Sequence, residues 1–300
     1  MPPAETTTPR RRRGRRVVAV LAVAAVLAAA YLFMYEPPYP GSLVAPPARP
    51  LVFAHRGFGA LGPDNSLYAA EHAMDAGMDG VDVDGQLTAD GALVIFHDLS
   101  VDRLTSGSGK VRQQTLGQML ALDLGPKYDP SIRGANVHTF EDFVRAMKGR
   151  GILMVELKVP GGGATGIERL AVDVILSSFN PIVLWRVKRL DPQVRTALIF
   201  MDTNWNPELL AEIRPEDRVD LPWFLRQEWI RRGIRKVIEP DLLSINHEVD
   251  SLVIRRLMAS GWPVFIWTPD EDAELRRALA RRPFGVISDR PIRARELRGE

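Results

Sequence analysis

The sequence predicts an α/β protein, a TIM (β/α)8 barrel carrying a small insertion and preceded by one N-terminal transmembrane helix. Three observations predict it. From Leu51 onward, short apolar runs alternate with amphipathic stretches over about 250 residues, the rhythm of strands buried on both faces in a parallel sheet. Eight or so repeats of that unit favour a closed barrel over an open doubly wound sheet. Ahead of the barrel, a run from Val17 to Tyr35 carries no charge and follows the basic cluster Arg10 to Arg16.

That run has 19 residues. At about 1.5 Å per residue it spans roughly 28 Å, the thickness of a hydrocarbon core. Basic residues before a span stay in the cytoplasm, which places everything after it on the outer face of the cell membrane. The competing reading is a signal peptide processed at Ala28-Ala29-Ala30, which would release a secreted form lacking residues 1–30. The apolar run continues past those alanines, which favours the uncleaved anchor. Glu36 to Pro50 holds six prolines and no helical period, and reads as an extended spacer. The expected organisation is a basic cytoplasmic tail (1–16), an anchor (17–35), a Pro-rich linker (36–50) and a barrel (51–300).

Within the barrel, strands are expected near 51–55, 80–84, 93–97, 152–157, 173–178, 195–200, 241–245, 263–267 and 284–288. Helical patterns fall at 66–77, 139–149, 181–190, 206–213, 226–236, 248–260 and 271–281. Asp64-Asn65-Ser66 supplies capping oxygens for the first of these, and Gly77 and Gly261 sit where helices should stop. Thr105-Ser106-Gly107-Ser108-Gly109 opens a stretch that breaks the rhythm until about His138, the predicted insertion.

The formal charge of +2 is misleading. The first 16 residues hold six Arg and one Glu, a net of +5, so the remainder carries −3. A mildly acidic domain offers no field for nucleic acid. The chain has no Cys, which excludes disulfides and thiolate metal ligands.

The apolar strands run into ionisable groups. Leu51-Val52-Phe53-Ala54 leads to His55-Arg56, and Leu93-Val94-Ile95-Phe96 leads to His97-Asp98. Asp82 and Asp84 lie at i and i+2 on another strand, so they project to one side. Glu156 and Lys158 repeat that spacing. Neighbouring carboxylates repel unless a cation lies between them, and oxygen ligands suit Mg²⁺ or Ca²⁺. Two imidazoles can serve as general base and general acid, and Arg56 offers a planar fork for phosphate. The inventory suits metal-assisted cleavage of a phosphate ester. Taken singly, each residue has a bland reading: a satisfied strand-end His, an exposed acidic edge, a Glu–Lys ion pair. The coincidence of all four at strand ends decides for a site. His72, His138 and His247 fall in helix or loop and are read as structural.

These residues also resemble a family. His55-Arg56-Gly57, Pro63-Asp64-Asn65-Ser66, Asp82-Val83-Asp84, Asp90-Gly91, His97-Asp98, Glu156-Leu157-Lys158, Trp267-Thr268 and Ser288-Asp289-Arg290-Pro291 resemble, in order, the glycerophosphodiester phosphodiesterases. The resemblance implies a TIM barrel with a bound divalent cation, hydrolysing glycerophosphodiesters to glycerol 3-phosphate and an alcohol. It implies catalytic roles for His55 and His97, metal ligation by Asp82, Asp84 and Glu156, phosphate binding by Arg56 and Lys158, and a pocket wall at Trp267. The family usually has Glu where this chain has Asp64 and Asp82. It also has a full barrel helix where this chain has Gly161 to Asp173, whose Gly161-Gly162-Gly163 suggests a flexible loop over the pocket. Two alternatives are a phospholipase D-like lipase on the same fold and a non-catalytic anchored binding barrel. Finally, Trp223, Phe224 and Trp229 lie among Arg226, Arg231, Arg232, Arg235 and Lys236, which reads as an amphipathic barrel helix or as a surface docking on anionic lipid.

Overall fold

The computed structural model describes residues 9–36, 39, 46–158, 174–201 and 227–299. The first helix, α1 (Pro9–Met34), contains both the Arg cluster and the apolar run. Its stretch Gly14–Tyr31 has a mean hydropathy of 1.7, long and apolar enough to cross a membrane. Eight parallel strands then close a barrel: β1 (Leu51–His55), β2 (Gly80–Leu87), β4 (Ile152–Leu157), β5 (Val174–Ser178), β6 (Arg195–Phe200), β7 (Leu242–Asn246), β8 (Val264–Trp267) and β9 (Gly285–Ser288). Closure comes from β1 pairing with β9 on one side and β2 on the other. Among the described helices, α2 (Leu67–Asp75), α5 (Phe140–Met147), α6 (Pro181–Leu190), α7 (Glu228–Ile238), α8 (Ser251–Ala259), α9 (Asp272–Ala280) and α10 (Pro291–Arg298) accompany the barrel. Ser66 caps α2 by accepting from the Ala69 N–H, and Gly77 and Gly261 follow the helix ends at positive φ, as the sequence suggests.

The strand expected at 93–97 is not a barrel strand. β3 (Leu93–Ile95) pairs antiparallel with the overhang of β2, Gly85 to Leu87. The link between them is too short for a parallel crossover, which needs a dozen or more residues. Asp90-Gly91, with Gly91 at φ 81°, makes a turn instead. β3 then opens the insertion, whose short helices α3 (Leu116–Leu120) and α4 (Gly125–Tyr128) sit on a core of their own: Phe96, Val101, Val111, Met119, Leu124 and Val137.

The barrel interior is layered. The lower layer is apolar: Phe53, Met154, Ile175, Ala197, Leu242, Phe265 and Ile287. Gly80 and Gly285 make room for it, since a Cβ at either would fall within 2.7 Å of the Phe53 or 2.4 Å of the Phe265 ring. Val52, Val81, Val83, Val155 and Leu176 point outward into the core beneath the helices. Their inward neighbours on the same strands carry the chemistry.

Two segments make contacts that local pattern does not show. Glu36 and Tyr39, read as part of a spacer, pack on the barrel: Glu36 pairs with Arg232 and Arg235, and the Tyr39 ring lies against Trp262. The basic residues of α7 are largely occupied, Arg231 over the Phe200 ring and Arg232 and Arg235 on Glu36, in keeping with an amphipathic barrel helix. Trp229 is exposed. Trp223, Phe224, Arg226, the helix expected at 206–213 and the Gly161 to Asp173 loop lie outside the described residues.

Candidate active site

The upper layer of the barrel interior begins with His55, the last residue of β1, whose register partner on β2 is Asp82. Two residues on, Asp84 stands opposite Glu156 of β4. Lys158 follows β4 and places its Nζ 3.0 Å from Asp84. Adjacent strands lie about 4.8 Å apart, so these inward side chains share one small volume. His97 reaches it by another route. β2 overshoots the barrel, the chain turns, and β3 runs back until the Phe96 N–H donates to the Asp84 carbonyl. His97 is therefore brought in by a hairpin, not by the end of a barrel strand. Trp267 ends β8, with its ring edge-on to Phe179 at 6.0 Å.

Arg56 sits in left-handed backbone at φ 51°, strained for a residue with a Cβ. That turn aims its guanidinium across the site. Nη1 donates to Asp64 at 3.3 Å and Nη2 to the Nε2 of His97 at 2.7 Å. An arginine can only donate, so His97 Nε2 accepts and its proton is on Nδ1, which donates to Asp98 at 2.8 Å. Arg103 grips Asp98 with two hydrogen bonds, at 2.6 and 2.7 Å. His55 is oriented differently: its Nδ1 meets Asp289 at 2.8 Å.

The two imidazoles are thereby driven apart. Burial disfavours charge on His55, but the hydrogen bond to Asp289 together with the charges of Asp289 and Asp82 outweighs it and raises the pKa despite Arg56. Burial lowers His97, and Lys158 and Arg56 beside it reinforce the shift against Asp84 and Asp98. One site thus holds a histidine biased toward imidazolium and another biased toward neutral imidazole.

The carboxyls divide as well. Burial, with the charges of Asp84 and Glu156, pushes Asp82 up to about 8 despite His55. Burial likewise pushes Glu156 up to about 7. Burial would raise Asp84 too, but Lys158, His97 and Arg56 outweigh it and hold that carboxylate well below the usual range. Among the described residues, no three His, Asp or Glu side chains already stand as a ligand set, and Asp84 is engaged by Lys158 and by Asn65, each at 3.0 Å. The donor chemistry nonetheless fits a hard divalent cation. Buried carboxyls that ionise only against burial and mutual repulsion are the groups a cation would stabilise as carboxylates.

The structure brings together His55, Arg56, Asp82, Asp84, His97, Glu156 and Lys158, with Trp267 at the rim. Several supporting residues had no role assigned from sequence. Asp98 and Asp289 hold the histidines, and Asp64 holds Arg56. Asn65, at φ 60°, both donates to the Asp84 carboxylate and accepts from its N–H at 2.7 Å. Gln86 ties the His97 loop to β2 by donating toward the carbonyls of Phe96, His97 and Asp98. Ser177, the register partner of Glu156, is buried with no hydrogen-bond partner for its hydroxyl among the described residues. The acidic neighbour of His97 was readable as Asp98, whereas Asp289 needs barrel closure to become visible.

A barrel whose interior ends in two histidines, a carboxyl cluster, an arginine and a lysine has the inventory that cleavage of a phosphoric ester calls for. The sequence profile of the glycerophosphoryl diester phosphodiesterase family matches residues 55–293. The chain belongs to that family, whose members are phosphoric diester hydrolases. A glycerophosphodiester phosphodiesterase of Caldanaerobacter subterraneus subsp. tengcongensis is 29% identical over 252 residues, 80% of this chain and 94% of that one. Among solved structures, an Oleispira antarctica phosphodiesterase in complex with the product sn-glycerol-3-phosphate superposes with a TM-score of 0.67 at 21% identity, covering 83% of this chain and 96% of that one. A glycerophosphodiester phosphodiesterase from Agrobacterium tumefaciens gives 0.63 at 21%, covering 82% and 98%. At those identities the likeness speaks for the fold.

Proposed function

We propose that this chain hydrolyses glycerophosphodiesters to glycerol 3-phosphate and an alcohol, with a divalent cation, Mg²⁺ or Ca²⁺, in a barrel held at the outer face of the cell membrane by α1. The observation that carries the reading is the opposite bias of the two histidines across one carboxyl cluster. His97, with Nε2 free of a proton, is the general base that takes a proton from the attacking water. His55, whose pKa is raised beside Asp289, is the general acid that protonates the departing alkoxide. Arg56 and Lys158 bind the phosphoryl oxygens, which requires Arg56 to leave His97 for the substrate. Asp82, Asp84 and Glu156 would hold the cation, which supplies electrophilic stabilisation of phosphoryl charge when bound. Trp267 walls the pocket. The apolar length of Gly14–Tyr31 and the basic residues before it support the membrane placement.

The test is release of glycerol 3-phosphate from a set of glycerophosphodiesters with different alcohols, with and without exhaustive chelation. Release that chelation removes and added Mg²⁺ or Ca²⁺ restores is expected. Full activity after chelation would overturn the cation assignment. Absence of turnover with every diester, under conditions where phosphate monoesters bind, would favour a binding barrel.

A further inference from the structure

The junction between α1 and the barrel is built as a joint. Glu36, two residues past the end of α1, is buried against α7: one oxygen lies 3.0 Å from Arg232 Nε and 2.5 Å from Arg235 Nη2. Arg235 is itself among the most buried side chains and also pairs with Glu228 at 2.6 Å. Lys236 donates to the Tyr31 carbonyl, with its ammonium 4.6 Å from the Tyr31 ring centre and 5.5 Å from that of Tyr35. Three residues on, the Tyr39 N–H donates to the Ser260 carbonyl at 2.7 Å, and its hydroxyl donates to the Asp241 carbonyl at 2.6 Å.

These contacts lie at one end of the barrel. Asp241 immediately precedes β7, and Ser260 lies just before β8. Arg232, Arg235 and Lys236 occupy the second half of α7, whose chain enters β7 within a few residues. All are therefore on the side of the strand N-termini, opposite the mouth where His55, Glu156 and Trp267 end their strands. Val17, Val18, Val20, Leu21, Val23, Val26 and Leu27 each stay more than half exposed, so this apolar stretch of α1 is not covered by the barrel.

We propose that Glu36 clamps the barrel base-down onto the end of its membrane helix, so that the catalytic mouth opens away from the bilayer. The proposal rests on the reading that Gly14–Tyr31 spans a membrane. A buried carboxylate shared by two guanidiniums is a stiff joint, because breaking it leaves charges buried and unpaired. The Tyr31 and Tyr35 rings fall at the depth where aromatic side chains favour the headgroup region. The mouth then stands at least a strand's length above that surface, roughly 20 Å for six residues. The diester must arrive from the aqueous phase rather than from the leaflet in which α1 is anchored.

The chain has no Cys, so one introduced Cys carries a unique fluorophore. Ser106→Cys labels the insertion three residues past Arg103, on the mouth side. Lys148→Cys labels the exposed turn before β4, on the base side. The full chain is reconstituted in phosphatidylglycerol–phosphatidylcholine vesicles bearing an acceptor on the headgroups. Energy transfer from Lys148→Cys is expected to exceed that from Ser106→Cys about twofold or more, given a separation on the order of 20 Å. About ten Gly/Ser residues inserted between Tyr35 and Glu36 leave the ion cluster on the barrel but free it from α1. In that variant the two transfers become equal, while release of glycerol 3-phosphate from a water-soluble diester is unchanged. Equal transfer in the parent chain, or a difference that survives the insertion, overturns the clamp. A chain that fails to float with vesicles overturns the membrane reading and the clamp together, whereas loss of turnover with the transfer difference intact bears only on the hydrolase reading.

Discussion

The lower and upper layers of the barrel interior are made by the same strands, two residues apart. Phe53 precedes His55, Met154 precedes Glu156, Ile175 precedes Ser177, Leu242 precedes Ser244, Phe265 precedes Trp267 and Ile287 precedes Asp289. Below, the side chains are apolar and interlocked, with glycines where two rings need space. Above, they are mostly polar or ionisable, and burial acts on the ionisable ones in the opposite sense. The same exclusion of water that stabilises Phe53 raises Asp82 to about 8 and Glu156 to about 7. A packed floor and a reactive ceiling are two consequences of one low-polarity interior, read at successive inward positions.

The largest expected effect belongs to the upper layer. His97→Ala and His55→Ala should each lower kcat by ~10²–10⁴-fold while thermal unfolding shifts little. Steady-state kinetics beside a melting curve checks both halves, and a variant that keeps near-parental turnover removes that histidine from its role. The lower layer should behave in reverse. Phe53→Ala leaves a void against Phe265 and Gly80 and should cost about 3–5 kcal/mol of stability, with kcat per folded molecule retained. Denaturant titration measures it. If Phe53→Ala instead abolished turnover in fully folded protein, the two layers would not be separable.

Asp82 tests the boundary between layers, since it sits one inward position above Gly80. Asp82→Ala should abolish saturable cation binding, whereas Asp82→Glu should keep or strengthen it, because the longer side chain restores the residue the family usually carries. Isothermal titration with Mg²⁺ and with Ca²⁺ distinguishes them. Equal affinity in the Ala and Glu variants would show that Asp82 is not a ligand.

Much of this is legible in the sequence. The barrel strands declare themselves as unbroken apolar runs, and the site residues stand at or just beyond their ends. What local pattern could not reveal depends on long-range placement. The 93–97 run looks like another barrel strand by composition, and only the short Thr88 to Ala92 link and its Asp90-Gly91 turn mark it as a hairpin return. The last helix, α10, was not anticipated because its apolar signal is slight: Pro291 and Ala294 are its buried residues. The Asp289–His55 contact joins residues 234 apart and exists only because β9 closes onto β1. The basic face of α7 reads identically whether it is solvated, faces lipid or pairs with Glu36, because the partner lies almost two hundred residues upstream.

The subtlest expected difference between the layers is in how stability follows pH. Asp82 and Glu156 have folded-state pKa values near 8 and 7, above their unfolded values. A carboxyl whose folded pKa is raised holds its proton more tightly in the folded state. Its contribution to stability is greatest below the unfolded pKa and is lost as pH rises through the folded one. Asp84 and Asp98 run the other way, with folded pKa values far below normal, so their contributions are already complete above about pH 5. Between about pH 6 and 8.5 the raised carboxyl pair titrates against the fold, His55 with its raised pKa adds in the same sense and His97 with its lowered pKa opposes, so chelated protein should melt at a progressively lower temperature across that window. Saturating Mg²⁺ or Ca²⁺ should flatten the trend, because a bound cation stabilises the carboxylates whose formation otherwise opposes folding. Asp82→Asn should also reduce the slope in chelator, since it removes the carboxyl with the higher of the two raised pKa values. A floor variant such as Phe53→Ala should lower the whole curve while leaving its slope alone. Melting curves in chelator that are flat from pH 6 to 8.5, or that rise with pH, would mean that the ceiling carboxyls are not held protonated by the interior that packs the floor.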